Sequence, residues 1–436
     1  SKTKRPVPLY DPDTTSPVGI HRSQIARRPQ HIRALAFSSF PVPELHSRSS
    51  WNQASETSHI HHEEVDLEKS RIDLGKFISE HASGQTLFVT IRGTGKHFFS
   101  PIRVREHSLH LRFLSSNEGE PLTLIPRAQR GIDAHIDVVN GNLEIDGARF
   151  EFTRSQSVTP YWMIRVEQGN LSLNKCWIKS PIRRSETFHG LISWSGSKKT
   201  ESDISAPELS CSISNSFLFS SNRILQTKMA HSALWLSNSA LVSLSHVFDF
   251  QPSSPGHLNG TVQLRNSTLW GRNTIFFFSP SDIQRKSGIP LKIFATESIF
   301  SSAPGSPKSS LSASLLNCSS NLLSNSQLIW KGKRNVYAHL ARFLTTEYSV
   351  QESTPSLQQD WIKTWGQIHE IQGWFEPQSI WEQRPTIRDL KPSDFLLAKR
   401  IRSSLSYAGV DPAQLPRAHT PSSTESTKRR KTIINF

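Results

Sequence analysis

What most constrains the fold of this chain is a short frame that recurs seven times: apolar, any residue, apolar, and a small residue three places on. It is plainest in "GNLEIDGARF" (141–150) and "GNLSLNKCWI" (169–178). The same frame occurs at Leu109-x-Leu111, Leu143-x-Ile145, Leu171-x-Leu173, Cys211-x-Ile213, Leu234-x-Leu236, Val262-x-Leu264 and Ile293-x-Ala295. Successive starts lie 34, 28, 40, 23, 28 and 31 residues apart. The small position is held mostly by Ala148, Cys176, Ser216, Ser239, Ser267 and Ser298. An apolar spacing of two is the period of a strand, whereas a helical solenoid would show three and four. One alternating strand per unit cannot bury its apolar face alone, so successive units must stack. The expected fold is all-β: a single-stranded, right-handed parallel β-helix solenoid, each coil rising by ~4.8 Å. Variable spacing then means loops of unequal length between coils. The small residue falls where the chain turns inward and a larger side chain would collide.

Around this repeat the texture of the chain changes. Residues 1–65 hold Pro, Ser, His and Arg without sustained periodicity, which predicts a disordered linker or arm. The β-helix is expected over 66–325, terminal coils and a capping region over 326–416, and a basic disordered tail over 417–436. "RIDLGKFISEHASG" predicts a short amphipathic helix with Ile72, Phe77 and Ile78 on one side. Near the other end, Trp361 and Trp365 lie one helical turn apart in "WIKTWGQIHEIQGWFEPQSIW". That stretch, with Trp374 and Trp381, is expected to shield the exposed edge of the last coil. Asn215, Asn238 and Asn266 share one frame position in three successive units, where stacked amides and the left-handed conformation suit a tight turn.

These phrases, with "TIRGTGKHFFSPIRV", "SLHLRFLS" and "LIWKGKRNVYAHLARFL", resemble the pectate-lyase-like β-helix superfamily, and more closely a group of large bacterial β-helix proteins. The ending "LKPSDFLLAKRIRSSLSYAGVDPAQLP" is similar to the usual close of that group, though Ser406-Tyr407 precede Ala408-Gly409 here. The resemblance spans roughly residues 70–416. In some relatives such a β-helix is the C-terminal, extracytoplasmic part of a membrane-spanning serine/threonine kinase. It therefore implies a cell-envelope or extracytoplasmic module fused to an N-terminal domain, which is consistent with a sequence opening on Ser1. It does not imply an activity, because the superfamily holds lyases, hydrolases and inert binding modules.

The residues themselves point away from catalysis. An inverting hydrolase needs paired carboxylates, and a lyase needs a calcium-binding acid cluster with a basic residue. The repeat strands offer Glu144, Asp146 and Glu297, too many coils apart to converge, and His189-Gly190 lacks acidic company. Arg103 and Arg105 alternate along a strand as a solvated face would. "RGTGKHFF" (92–99) lacks the spacing and the Ser/Thr of a phosphate-binding loop, and reads as a glycine turn between strands. "HIHHEE" (59–64) carries metal-ligand types but falls in the expected arm, where nothing would fix them. Cys176, Cys211 and Cys318 lack metal spacing and read as buried free thiols. No catalytic residue, metal site or cofactor is expected.

The binding expectation rests on the outward position of the repeat strands, which reads His110, Glu144, Ser172, Ser212, Trp235, Gln263 and Phe294. Two aromatics on a polar strip suit a sugar ring, so Trp235 and Phe294 are the expected ligand-binding residues. A formal net charge of +15 favours an anionic partner. It is diffuse apart from the last 55 residues, with eleven Lys/Arg against five Asp/Glu, so nucleic acid is not the expected partner. The basic run Lys428 to Lys431 reads as tail. No 18-residue apolar stretch occurs, so no transmembrane helix is expected. The reading is a non-enzymatic binding or surface module with a polysaccharide or cell-surface glycan as ligand; the alternative is a carbohydrate-active lyase or hydrolase on the same fold.

Overall fold

The computed structural model describes residues 60–416, apart from 71, 83, 85, 116–119, 128–130, 153–161, 181–187, 197–208, 230–231, 253–258, 280–289, 303–312, 325, 347–356, 366–368, 377–379 and 383–389. The expected arm up to residue 59 and the expected tail from 417 lie outside the described residues. The rest is a parallel β-helix of three sheets. Each coil contributes one strand to sheet 1 (eleven strands, Ile60–Asp66 to Glu370–Ile371), then one to sheet 2 (ten, Lys96–Phe99 to Trp374–Glu376) and one to sheet 3 (nine, Ile102–Arg105 to Arg342–Thr345). The first turn, after Ile60–Asp66, departs from this order, and the last coil has no sheet 3 strand among the described residues. Neighbouring strands in each sheet pair in parallel, as a chain that always climbs in one direction must.

The repeat frame sets the register. Leu109, Leu143, Leu171, Cys211, Leu234, Val262, Ile293 and Trp330 are partners in consecutive sheet 1 strands. All are buried in one hydrophobic core. Each such side chain is worth ~1.5–3 kcal/mol relative to exposure, so a one-residue slip would turn the whole column out to water. The column extends beyond the seven frames: Leu87 precedes Leu109, and Trp330 follows Ile293. The described part of the solenoid thus reaches back to Ile60, inside the stretch expected as arm, and its strand Leu328–Lys333 in sheet 1 lies beyond residue 325.

The small position does more than avoid a collision. Ser216, Ser239, Ser267 and Ser298 are buried where the chain turns from sheet 1 into sheet 2. Each hydroxyl donates to the carbonyl two residues back, at 2.7, 2.8, 2.8 and 3.0 Å. It also accepts the amide N–H of its counterpart one coil earlier: Cys176 to Ser216, Ser216 to Ser239, Ser239 to Ser267 and Ser267 to Ser298. The ladder ends on Asn335, whose Oδ1 accepts from Ser298 N at 3.0 Å. The residue just before the serine takes the left-handed conformation in every coil, with φ of 49°, 42° and 47° at Asn215, Asn238 and Asn266. Asn215 and Asn238 stack as expected, at 2.9 Å, but Asn266 donates instead to Glu297 and to the Tyr407 carbonyl.

The "Gly-Asn" that opens the frame has its own cause. A Cβ on Gly169 would penetrate the Gly141 carbonyl, and one on Gly141 that of His107, so the coils touch backbone to backbone here. The following asparagines form a second ladder: Asn142 Oδ1 accepts from Asn170 N and Nδ2 at 3.0 Å, and Asn170 Oδ1 from Ser210 N at 2.7 Å.

Helices close the two ends. After α1 (Leu67–Ser70), α2 (Leu74–His81) is N-capped by Asp73 and buries Leu74 and Ile78 in the core. Ile72, expected on that face, precedes the cap and is 39% exposed. Beyond α3 (Ser320–Ser324), α4 (Leu357–Trp365) sets Trp361 against Trp330, Tyr337 and Phe343 at 5.1, 5.8 and 4.9 Å between ring centres. Trp361 thus packs on the core beside the last full strand of sheet 1.

The remainder of the expected cap does something else. Residues 380–382 and 390–415, containing a 3-10 turn (Pro392–Phe395) and α5 (Lys399–Leu405), lie along the outside of sheet 2. Ile380, Leu390, Phe395, Leu405 and Val410 bury an outward apolar face made of Trp177, Phe217, Phe219, Val242, Trp270, Ile299 and Val336. Trp381 belongs to this strap, not to the end of the stack: its ring lies 4.8 Å from Trp270. Gly409, at φ 84°, brings the strap close enough for its N–H to donate to the Glu297 carbonyl at 2.7 Å.

Candidate functional site

Outward residues of sheet 1 form a grid whose columns run along the solenoid axis. In one column Ser212, Trp235, Gln263, Phe294 and Lys331 are register partners in five consecutive strands. The column beside it reads Ser214, Ser237, Arg265, Thr296 and Lys333. Trp235 and Phe294, the two residues expected to bind ligand, therefore share a column, two rungs or about 10 Å apart, with Gln263 between them. Both are half-buried. The Trp235 indole N–H is itself buried and, among the described residues, has no acceptor.

Sequence reasoning missed the charges beside this pair. Arg265, Lys292, Lys331 and Lys333 are exposed on three successive rungs, and among the described residues none makes an ion pair. No outward position of the four rungs from Ser232–Ser237 to Leu328–Lys333 carries an acid. Glu297, which directly follows Thr296, is engaged by Arg334 at 3.0 Å. The same face in the N-terminal half is different. There Arg92 pairs with Glu64 at 2.8 Å and His110 with Glu144 at 3.0 Å. The signal was legible: "VQLRNS", "LKIFAT" and "IWKGKR" place cations at alternating positions in the frame already aligned.

Carboxylates do converge elsewhere, contrary to the sequence expectation. On sheet 3 Asp133, Asp137 and Glu167 surround Arg165 at 3.2, 2.7 and 3.8 Å. Asp137 also meets Arg105 at 2.7 Å. Burial alone would raise the Asp137 pKa, but the hydrogen bonds from Arg165 and Arg105 outweigh it and hold the carboxyl below its usual range. A general acid in glycoside cleavage needs the opposite shift, so this is a neutralised structural cluster. Asp137 and Arg165 occupy the same place in "HIDVVNGNL" and "MIRVEQGNL", six residues ahead of the repeat frame in each.

The other candidates resolve into structure. Glu144 and Asp146 share the strand Leu143–Asp146, while Glu297 follows the strand Leu291–Thr296, five coils on. Glu297 does not join the other two. Residues 60–64 of "HIHHEE" form the first strand rather than an arm, with His61 bonded to Glu63 at 2.7 Å. Among the described residues no group of three His, Cys, Asp or Glu side chains is placed to hold a metal. Gly93 and Gly95, both at positive φ, make the turn between Thr86–Gly93 and Lys96–Phe99. All three cysteines are buried and outside any disulfide, and burial pushes the Cys176 thiol up to about 12 and Cys211 higher still, which removes those two as nucleophiles. Among the described residues no helix is long and apolar enough to cross a membrane. No family model, curated protein or solved structure matches this chain.

Proposed function

We propose that the chain is a non-enzymatic β-helix binding module, the extracytoplasmic part of a larger protein of the pectate-lyase-like kind, and that it holds a polysaccharide along the outward face of sheet 1. One observation carries the reading: Trp235 and Phe294 stand in a single register column, flanked by the hydroxyls of Ser237, Thr261 and Thr296 and by the Gln263 amide. Aromatic faces spaced along a rigid axis suit successive sugar rings, and short hydroxyl and amide side chains suit their polar edges. What favours binding over lyase or hydrolase chemistry is that Asp137, the buried carboxylate of the group around Arg165, is held ionised and paired on a different sheet.

The test is a polysaccharide array with a depolymerisation assay run on the same samples. The expected result is retention without new reducing or unsaturated ends, and its loss in Trp235→Ala with the fold unchanged by circular dichroism. Retention unaffected by that substitution removes the site. Release of new chain ends replaces the reading with the enzymatic one.

A further inference from the structure

At the N-terminal end of the solenoid a titratable side chain is sealed beneath the covering helix. α2 packs against Ile102–Arg105, the edge strand of sheet 3 among the described residues. Such a strand has no neighbour on one side, and a helix laid against it shields its unpaired backbone groups. The helix is pinned at its first turn. Asp73 caps the Gly75 and Lys76 N–H groups and also accepts from Ser100 N at 3.0 Å and Ser100 Oγ at 2.9 Å. Ser100 lies at the corner between Lys96–Phe99 and Ile102–Arg105. A Cβ on Gly75 would overlap the Ser100 carbonyl, so helix and corner meet backbone to backbone. Behind this corner lies His135, fully buried in the strand Ala134–Val139. Its ring meets the Phe99 ring edge-on at 4.6 Å between centres, and its Nε2–H donates to the Phe99 carbonyl at 3.1 Å. Nδ1 is buried too and, among the described residues, has no partner.

We propose that His135 makes this end an acid-operated latch: a proton taken up at Nδ1 loosens the Phe99–Ser100 corner and releases α2 from the edge of sheet 3. The neutral ring leaves only a lone pair unmet. The protonated ring would place a charged N–H in the same spot, with nothing to accept it. Burial pushes the imidazole from 6.5 down to about 4, outweighing the bond to the Phe99 carbonyl and the attraction of Asp73. Asp73 is the charged group whose field reaches the ring, and Arg127 pairs with it at 3.6 Å. Asp73 does not compete for the proton in this range. Burial would raise its pKa, but hydrogen bonds from Ser100 outweigh that and hold the carboxyl below its usual value. Once the corner opens, the imidazole is solvated and titrates near its ordinary value of about 6.5. The open form therefore binds the extra proton between 6.5 and about 4. Closure is fully stable above that window and weakens as pH falls through it, by up to about tenfold per pH unit. The latch does not depend on the binding face.

The experiment is hydrogen exchange of the full chain, read by mass spectrometry between about pH 7.5 and about pH 4.5, with each rate divided by that of the unstructured peptide at the same pH. Protection of residues 73–81 and 99–105 should fall by about tenfold or more over this range. That of Leu209–Ser214 and Ser232–Ser237, in the middle of the stack, should stay constant. His135→Gln keeps a donor for the Phe99 carbonyl but cannot become charged, and should remove most of the fall. His135→Phe keeps the ring and gives up the bond, and should do the same, so either variant that folds suffices. Asp73→Ala removes the pin itself and should lower the protection of α2 at every pH. A fall of equal size in all coils, no fall in the parent, or a fall that survives the neutral replacements overturns the latch.

Discussion

Glycine 169 shows how narrowly a single residue can be specified in this fold. Its missing side chain is the room in which the Gly141 carbonyl lies, so Gly169→Ala must push two coils apart. Overpacking of this kind costs about 1–3 kcal/mol, and thermal denaturation should show a lower midpoint. An unchanged midpoint would mean that the coils do not touch there. Glu370 is the opposite case, a polar group that the core tolerates. Its carboxylate faces Gly332 from the last coil and accepts hydrogen bonds from Tyr337 Oη at 2.7 Å, Trp330 Nε1 at 3.2 Å and Asn335 Nδ2 at 3.2 Å. Burial outweighs those bonds and raises its pKa from 4.5 to about 7. The folded state therefore holds this proton more tightly than the unfolded chain does. The stability that comes with the bound proton is fully present below about 4.5 and is lost as pH rises through about 7. Denaturation of Glu370→Gln at several pH values should show that decline reduced. A decline identical to the parent's would assign it to other groups.

At the scale of elements, the strap is the least expected part. The sequence reading placed Trp381 with the other late tryptophans at the end of the stack, because spacing alone does not say which surface a segment covers. The deciding information was in one outward column of sheet 2, which follows the charged Arg149 and is apolar at every rung but Thr268 from Trp177 to Val336. A face that reads Trp-Phe-Ala in one column cannot be left to solvent, and the strap from Ile380 to Leu415 supplies its apolar cover at Ile380, Leu390, Phe395, Leu405 and Val410. Removing them should expose a contiguous apolar patch of a size that promotes association. The chain truncated after residue 379 is expected to bind a hydrophobic dye and to elute as aggregate, while the parent does neither. A monodisperse, dye-silent truncation would contradict the strap.

For the whole molecule, the legible part was the part that repeats. Stacking, register, the inward column and the small turn residue all follow from a frame visible by eye, because each coil repeats one physical solution. Around the binding face the alignment put Trp235 and Phe294 in one column, but their cationic neighbours went unread because only one outward position per strand was followed. The Asp137–Arg165 contact was missed for a related reason: its strands lie in sheet 3, outside the quoted motif. The ends of the solenoid were blurred because terminal coils meet a helix or a strap instead of another coil, and so depart from the repeat. The central claim, that these segments lie directly atop one another, is open to a direct chemical test. Ser172 and Ser212, 40 residues apart, are register partners with hydroxyls 3.2 Å apart. In-register parallel strands bring Cα atoms within disulfide range, and the native thiols are buried. Under mild oxidation the Ser172→Cys/Ser212→Cys double variant should form an intramolecular disulfide, detected by peptide mapping, whereas Ser172→Cys/Ser214→Cys, two residues out of register, should stay reduced. A bridge in the second variant and not the first, or in neither, would contradict the stacked solenoid.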